Sequence, residues 1–284
     1  MPSTAEKSPH EQISAALRVR YGSNFPVTPD QPGIDSLARI ANHRSIRRYR
    51  PEPVTPELLR LLCACALSAP TKSDLQQADI IHVADPARRQ RITAHLPDMG
   101  WIADAPVFLV FCGNNRRIRQ IGDWRGKPFA NEHLDHFMNA AVDAGIAMMN
   151  FIGAAEAAGL GTCPISAIRN AADTVSRELD LPEGVFPVAG LCVGYPASAG
   201  HISPRLPLDV TLHTDRYDET GLREKVDAYD RRRHDNHPYG KQRRTALFGT
   251  AEFYGWSEDK ARQYAEPERA DFGDYIRRQG FSLK

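Results

Sequence analysis

Net charge is almost absent from this chain. Lysine and arginine number 36 against 35 aspartates and glutamates, leaving a formal charge of +1 over 284 residues. A balance that close excludes a protein whose overall field gathers nucleic acid or anionic lipid, so any basic cluster must be argued from its own neighbourhood. Cysteine is scarce as well. Its five positions, 63, 65, 112, 163 and 192, lie in apolar or alanine-rich stretches without a disulfide-like framework, as expected of reduced core residues in a cytoplasmic protein. Cys63-Ala64-Cys65 is one residue too tight for a redox CxxC pair and lacks a second half-site, which argues against zinc. The opening residues hold no apolar run of signal-peptide length. No segment approaches the ~20 apolar residues of a membrane span, so the expectation is a soluble, intracellular chain. Internal repeats and low-complexity tracts are also missing.

What is present is length enough for one large domain or two small ones with a buried core. Residues 1–33 are polar, carry Pro26, Pro29 and Pro32, and read as an N-terminal arm with at most one helix, around Ile13 to Val19. Ile34, Leu37, Ile40 and Ala41 recur at helical spacing. Thr55 and Pro56 form a cap and first turn for a helix whose buried face is Leu58, Leu59, Leu62, Cys63 and Ala66. A loop, Ala69-Pro70-Thr71-Lys72-Ser73-Asp74-Leu75-Gln76, leads to a strand at Asp79 to Ala84, and Asp85-Pro86 opens another helix. Pro106 to Cys112 is apolar at every position, which predicts a central strand covered by helices on both faces.

Residues 114–131 are charged, contain Gly122 and Gly126, and read as a mobile excursion. The longest periodic segment follows. Phe137, Ala141, Ala144, Met148, Phe151 and Ala155 predict a helix, and apolar residues on its other faces predict burial nearly all round. Thr162 to Ile165 reads as a short strand, Asp173 to Leu179 as a helix and Pro187 to Val193 as a second central strand. Residues 216–250 are charged, and a last helix spans about 266–279.

Few stretches carry recognisable chemistry. His43-Arg44-Ser45-Ile46-Arg47-Arg48-Tyr49-Arg50 gathers basic side chains around one serine: either a solvated basic face on a helix or turn, or a grip for a phosphate. Gly159-Leu160-Gly161 follows a helix and precedes a strand, the reverse of a dinucleotide fingerprint. His133 and His136, with Glu132 and Asp135, have a spacing open to a metal but sit at a helix start, where acidic side chains favour the dipole. Asp143, alone among alanines, needs a buried partner, structural or functional. The runs Arg231-Arg232-Arg233 and Lys241-Gln242-Arg243-Arg244 suit a solvated surface, a nicotinamide cofactor's phosphate or a nucleic-acid backbone.

Taken in order, His43 to Tyr49 with Pro51-Glu52-Pro53-Val54, the 69–76 loop, Gly159 to Asn170, and Gly190 to Pro196 followed by Pro204-Arg205-Leu206-Pro207 resemble the FMN-dependent nitroreductase family. The similarity is to its NADPH-preferring branch of major oxygen-insensitive nitroreductases and flavin reductases. It runs from about His43 to Leu212 and weakly to the end. The resemblance implies an α+β fold of three α/β/α layers: a mixed central sheet flanked by helices, a long central helix at a dimer interface and an extended C-terminal excursion. In domain terms it implies an arm at 1–33, an FMN-binding core at 34–215, and a C-terminal extension at 216–284 that wraps the partner subunit and forms part of the NADPH site.

The resemblance also assigns residues. His43, Arg44, Ser45 and Arg47 match the motif around the FMN phosphate and pyrimidine edge, and Arg205 completes the phosphate site. Thr71, Ser73 and Gln76 match the loop along the ribityl chain and dimethylbenzene edge, while Ile165, Ser166 and Ala167 back the ring near N5. Arg47 and Ser166 are flavin-tuning candidates, and no protein nucleophile is required. Lys241, Arg243 and Arg244 are candidates for the NADPH 2'-phosphate, with Arg231 to Arg233 as the alternative. Relatives often have two glycines where this chain has Ser166 and Ala167, an aromatic at Pro164 and a glutamine at Met99. The implied enzyme is a homodimer with no metal. It passes two electrons by ping-pong hydride transfer from NADPH, or NADH, through FMN to nitroaromatic, quinone or flavin acceptors. Two other readings stay open: a flavoenzyme of the same fold with another reaction, such as dehalogenation or enoate reduction, and a nucleic-acid or partner-binding module.

Overall fold

The structure, a computed structural model, describes residues 7–284, with backbone only at 97 and 98. Residues 1–6, the outer part of the expected arm and the place where a leader was sought, lie outside the described residues. The chain divides into two compact units: a larger one of Arg44–Gly200 and Arg269–Lys284, and a smaller one of the described residues up to His43 with His201–Glu268.

The larger unit is built on four strands, β1 (Ala78–His82), β2 (Val107–Asn114), β3 (Gly161–Ile165) and β4 (Val185–Gly194), in the order β1-β2-β4-β3. All three pairings are antiparallel, which corrects the expected mixed sheet; parallel pairing is confined to an isolated bridge between Ser45 and Thr162. The apolar run in β2 separates by strand period. Val107, Leu109 and Phe111 enter one core with Leu59, Leu62, Phe151 and Ala155, whereas Phe108, Val110 and Cys112 enter another with Ile92, Ile102 and Val175. Each large side chain so buried contributes roughly 1.5–3 kcal/mol, which is why helices cover both faces. Pro187 lacks an N–H yet lies in an inner strand. It sits where the register shifts opposite Phe111 and Cys112, and Pro164 lies in edge strand β3, the two settings that tolerate proline.

The long helix, Leu134–Ala157, buries Ala140, Asp143, Ala144, Ala147, Phe151 and Ala155. Contrary to the expected all-round burial, Met138, Val142, Ile146 and Met149 form an exposed stripe. By length and composition alone this helix is apolar enough to cross a membrane, but it carries the buried Asp143 and packs into the core through Ala147, Phe151 and Ala155.

The expected mobile excursion contains the helix Arg116–Trp124, and Arg119 donates to the Gly280 carbonyl at 2.8 Å. The C-terminal helix Phe272–Arg278 does not extend away. Tyr275, Ile276 and Phe281 are buried with Ala140 and Phe186, and the Tyr275 hydroxyl lies 2.7 Å from Ser176 Oγ. In the smaller unit the helix expected within the arm runs over 13 residues, Pro9–Tyr21, and its Ile13 and Ala16 are buried with Ala38 and Ala41 of the helix Ile34–Ala41.

Candidate functional site

The basic stretch is extended, neither helix nor turn. Ile46 N–H donates to the Thr162 carbonyl at 2.8 Å, Ala197 N–H to Arg48 at 2.9 Å, and Arg50 N–H to Tyr195 at 2.8 Å. This backbone lies along β3 and the exit of β4. Ile46 is buried against Gly161, where an added Cβ would come 2.6 Å from its Cγ1, so glycine there permits the close approach. Ser45 and Arg44 remain half-buried and Arg47 exposed. Arg44 Nη1 donates to the Ala199 carbonyl at 3.2 Å, and the Arg47 guanidinium lies 5.9 Å from the Trp101 ring centroid. Arg47 also reaches the Cys163 thiol, whose pKa burial pushes up.

Thr162, the residue bridged to Ser45, is fully buried and its Oγ1 has no hydrogen-bond partner. Sequence reading missed both Thr162 and Trp101; nothing in a lone threonine or tryptophan marks it before the stretch is laid beside β3.

The second element is the 71–77 loop. Ser73, Asp74 and Gln76 have φ of 49°, 57° and 51°, left-handed backbone without a glycine. Such residues persist only where the surroundings over-determine them. Here Asp143, 2% exposed on the long helix, accepts the Lys72 N–H on Oδ1 at 3.1 Å and the Gln77 N–H on Oδ2 at 3.2 Å. Arg117 donates to the Gln76 carbonyl at 2.6 Å, and Thr71 Oγ1 accepts the Gln76 N–H at 3.3 Å. Asp143 is therefore a hydrogen-bonding anchor, and Ala69, Pro70, Thr71, Gln76, Arg117 and Asp143 line a cavity of about 230 Å³.

Ile165 ends β3, and Ser166 begins a 3-10 turn that runs to Ala171. Ile165 and Ala167 are buried in the core, so only Ser166 presents a side chain outward. Met99 packs against the same core.

The remaining candidates lie in the smaller unit. His43 and Arg205 share one organiser that sequence reading missed: the buried Arg20 of the N-terminal helix. Its guanidinium donates to the carbonyls of Ala41 at 3.0 Å, Ser203 at 3.3 Å and His43, and its own carbonyl accepts the Arg205 N–H at 2.7 Å. Arg205 is exposed. Of the 2'-phosphate candidates, Arg243 pairs with the buried Asp259 at 3.0 Å and Arg244 pairs with Glu266, while Lys241 is exposed; all three line a cavity of about 460 Å³. Arg232 is occupied structurally, donating to the carbonyls of Val19, Arg20 and Arg205. His136 turns into an aromatic cluster 4.6 Å from the Phe129 ring centroid, whereas His133 occupies the N-cap position of the long helix without a side-chain capping bond.

A four-stranded antiparallel sheet covered by helices on both faces, with an extended arginine–serine stretch along β3 and a clamped polar loop, defines an α+β protein. Residues 40–195 match the model of the nitroreductase family and residues 203–284 that of the family's C-terminal domain. The chain belongs to the nitroreductase family. Among its relatives is the FMN reductase [NAD(P)H] of Bacillus subtilis, 33% identical over 253 residues that span 87% of this chain and 98% of the relative. Another is the oxygen-insensitive NADPH nitroreductase of Salmonella typhimurium, 34% identical over 64% of this chain and 74% of that protein. Among solved structures, NfrA2 of B. megaterium superposes with a TM-score of 0.80 at 32% identity, covering 88% of this chain and 98% of that one. The NADPH:FMN oxidoreductase of Vibrio harveyi complexed with NAD+ gives 0.77 at 27% identity, covering 88% and 99%. The expected nitroreductase-like α+β fold is borne out.

Proposed function

We propose that this chain is an FMN-dependent NAD(P)H oxidoreductase that reduces nitroaromatic, quinone or flavin acceptors and works as a cytoplasmic homodimer. The activity class follows the family and the relatives named FMN reductase and NADPH nitroreductase. The observation that carries the cofactor is the fit of this chain's own rim: an extended stretch offering Arg44, Ser45 and Arg47 beside the partnerless buried hydroxyl of Thr162, and a loop already held in its strained form. When bound, FMN supplies two-electron hydride exchange between the nicotinamide and the acceptor.

The protein's share is position and charge. Arg44 and Ser45 supply a charged fork and a hydroxyl for the phosphate, and in the smaller unit His43 and Arg205 keep the phosphate role inferred from sequence. Arg47, steadied by Trp101, would offer positive charge to the pyrimidine edge of a bound flavin. Thr71, Ser73 and Gln76 are assigned to the ribityl and dimethylbenzene side. Ser166 is the one side chain of the 165–167 segment free to donate toward N5, while Ile165 and Ala167 contribute backbone. Lys241 is the leading contact for the 2'-phosphate, because its neighbours Arg243 and Arg244 already hold carboxylates.

The homodimer is supported by the exposed stripe Met138, Val142, Ile146 and Met149, and by a rim cavity of about 230 Å³. That volume is below the ~300–1,000 Å³ of a complete small-molecule pocket, so a second copy has room to finish the site. Five free cysteines accord with a reducing cytoplasm. Purified protein should be yellow, elute at twice the chain mass, and consume NADPH with a nitrofuran or quinone by ping-pong kinetics. A colourless protein that takes up no FMN on reconstitution would refute the reading.

A further inference from the structure

We infer that Asp143 is a positioning residue for the flavin, acting through the 71–77 loop, which it holds in its binding conformation before the cofactor arrives. The inference rests on the proposed assignment of Thr71, Ser73 and Gln76 to FMN. Asp143 is the carboxylate that sequence reading could not place. It projects from the middle of the long helix, is 2% exposed, and spends its two oxygens on two main-chain donors that bracket the loop, Lys72 N–H and Gln77 N–H. Between those donors lie the three left-handed residues, Ser73, Asp74 and Gln76.

The physical logic is preorganisation. A chain of non-glycine residues leaves the left-handed region unless something opposes it. A buried carboxylate is a strong acceptor of main-chain N–H bonds, and a donor that lost it would be left buried and unsatisfied. The exit of the loop is locked as well. Gln77 is 1% exposed, its Nε2 donates to Asn115 Oδ1 at 2.6 Å, and its carbonyl accepts the Asn114 N–H at 2.8 Å. Arg117 holds the Gln76 carbonyl from the other side. Asp143 thus fixes where the loop begins and ends, and the hydroxyls of Thr71 and Ser73 inherit their positions from it. A flavin entering such a rim does not have to order the loop, and its affinity is higher by that saved cost.

Asp143→Asn keeps the shape but sets an amide N–H₂ against one of the two backbone donors. Titration of flavin-free protein should show FMN affinity falling ~10- to 100-fold, the range for losing one or two charge-assisted bonds. Because the loop is assigned to the ribityl and ring side, riboflavin should weaken by the same factor. Arg44→Ala, by contrast, should weaken FMN alone. Asp74→Gly, which removes a left-handed residue's strain at the cost of the 3.2 Å hydrogen bond from Gln76 Nε2 to Asp74 Oδ1, should recover at least ~3-fold of the affinity when added to Asp143→Asn. In the unmutated flavin-free protein, amide hydrogen exchange should show peptides spanning 69–77 protected before FMN is added. An Asp143→Asn protein with unchanged flavin affinity, a loss confined to FMN, or a loop that exchanges freely until FMN binds would overturn the inference. Failure of the unmutated protein to bind FMN would instead strike the functional assignment on which it rests.

Discussion

Replacing His136 by leucine tests the electrostatics of the core through a single ring. His136 is 6% exposed, its ring tilted against two aromatics 4.6 Å from the Phe129 centroid and 6.1 Å from that of Phe281, and its Nε2 has no partner. Burial, with the positive charge of Arg119 and His133 nearby, pushes its pKa down from 6.5 to about 4, against a small opposing pull from Asp135. In the unfolded chain the ring takes up a proton below pH 6.5, whereas in the folded protein it stays neutral to about pH 4. The unfolded state therefore binds more protons in that window, and stability falls as pH falls through it. One proton of difference corresponds to ~1.4 kcal/mol per pH unit, so between pH 7 and pH 5 this ring alone should cost about 2 kcal/mol. Leucine has no proton to bind and a similar volume, so His136→Leu should lose about 2 kcal/mol less over that interval. Urea unfolding of flavin-free protein at one concentration, at both pH values, measures the two losses. Equal losses in the two proteins would refute the assignment of a buried neutral imidazole.

Two further outcomes test the site. In Gly161→Ala the new methyl would stand 2.6 Å from Ile46 Cγ1 and 2.7 Å from its Cβ, atoms too near the backbone to swing aside. The 44–47 stretch must then shift, at ~1–3 kcal/mol of stability, with weaker FMN binding read by titration; unchanged stability and unchanged FMN affinity would refute the close approach. Lys241→Ala should raise KM for NADPH ~10-fold, the loss of one charge-assisted phosphate contact, and leave NADH unchanged in steady-state assays; equal effects on both donors would remove Lys241 from the 2'-phosphate site.

Parts of this molecule are legible residue by residue because the forces that decide them are local. Thr55 accepts the Leu58 N–H at 3.2 Å with Pro56 in the first turn, the cap the sequence announces. The continuous apolar run of β2 calls for cover on both faces, and it has it. Other features depend on partners far away in the chain. The left-handed loop carries no glycine to betray it, since its conformation is imposed by Asp143, 71 and 66 residues from the two amides it accepts. Arg20, in a segment that reads as a polar arm, organises His43 and Arg205 through carbonyl contacts that no side-chain pattern encodes. The terminal helix is visible in the sequence, but its return to Ser176 and Phe186 is not.

By itself the sequence determined the family, through motifs around His43, Thr71, Ser166 and Arg205 whose order survives divergence, and with it the fold class. Tertiary structure alone decided that the basic stretch lies extended beside Thr162, that one stripe of the long helix stays uncovered, and that Asp143 anchors a loop. The physical reason is range. Periodicity and capping are properties of neighbouring residues, whereas the partner of a buried charge is chosen only when the chain has closed around it.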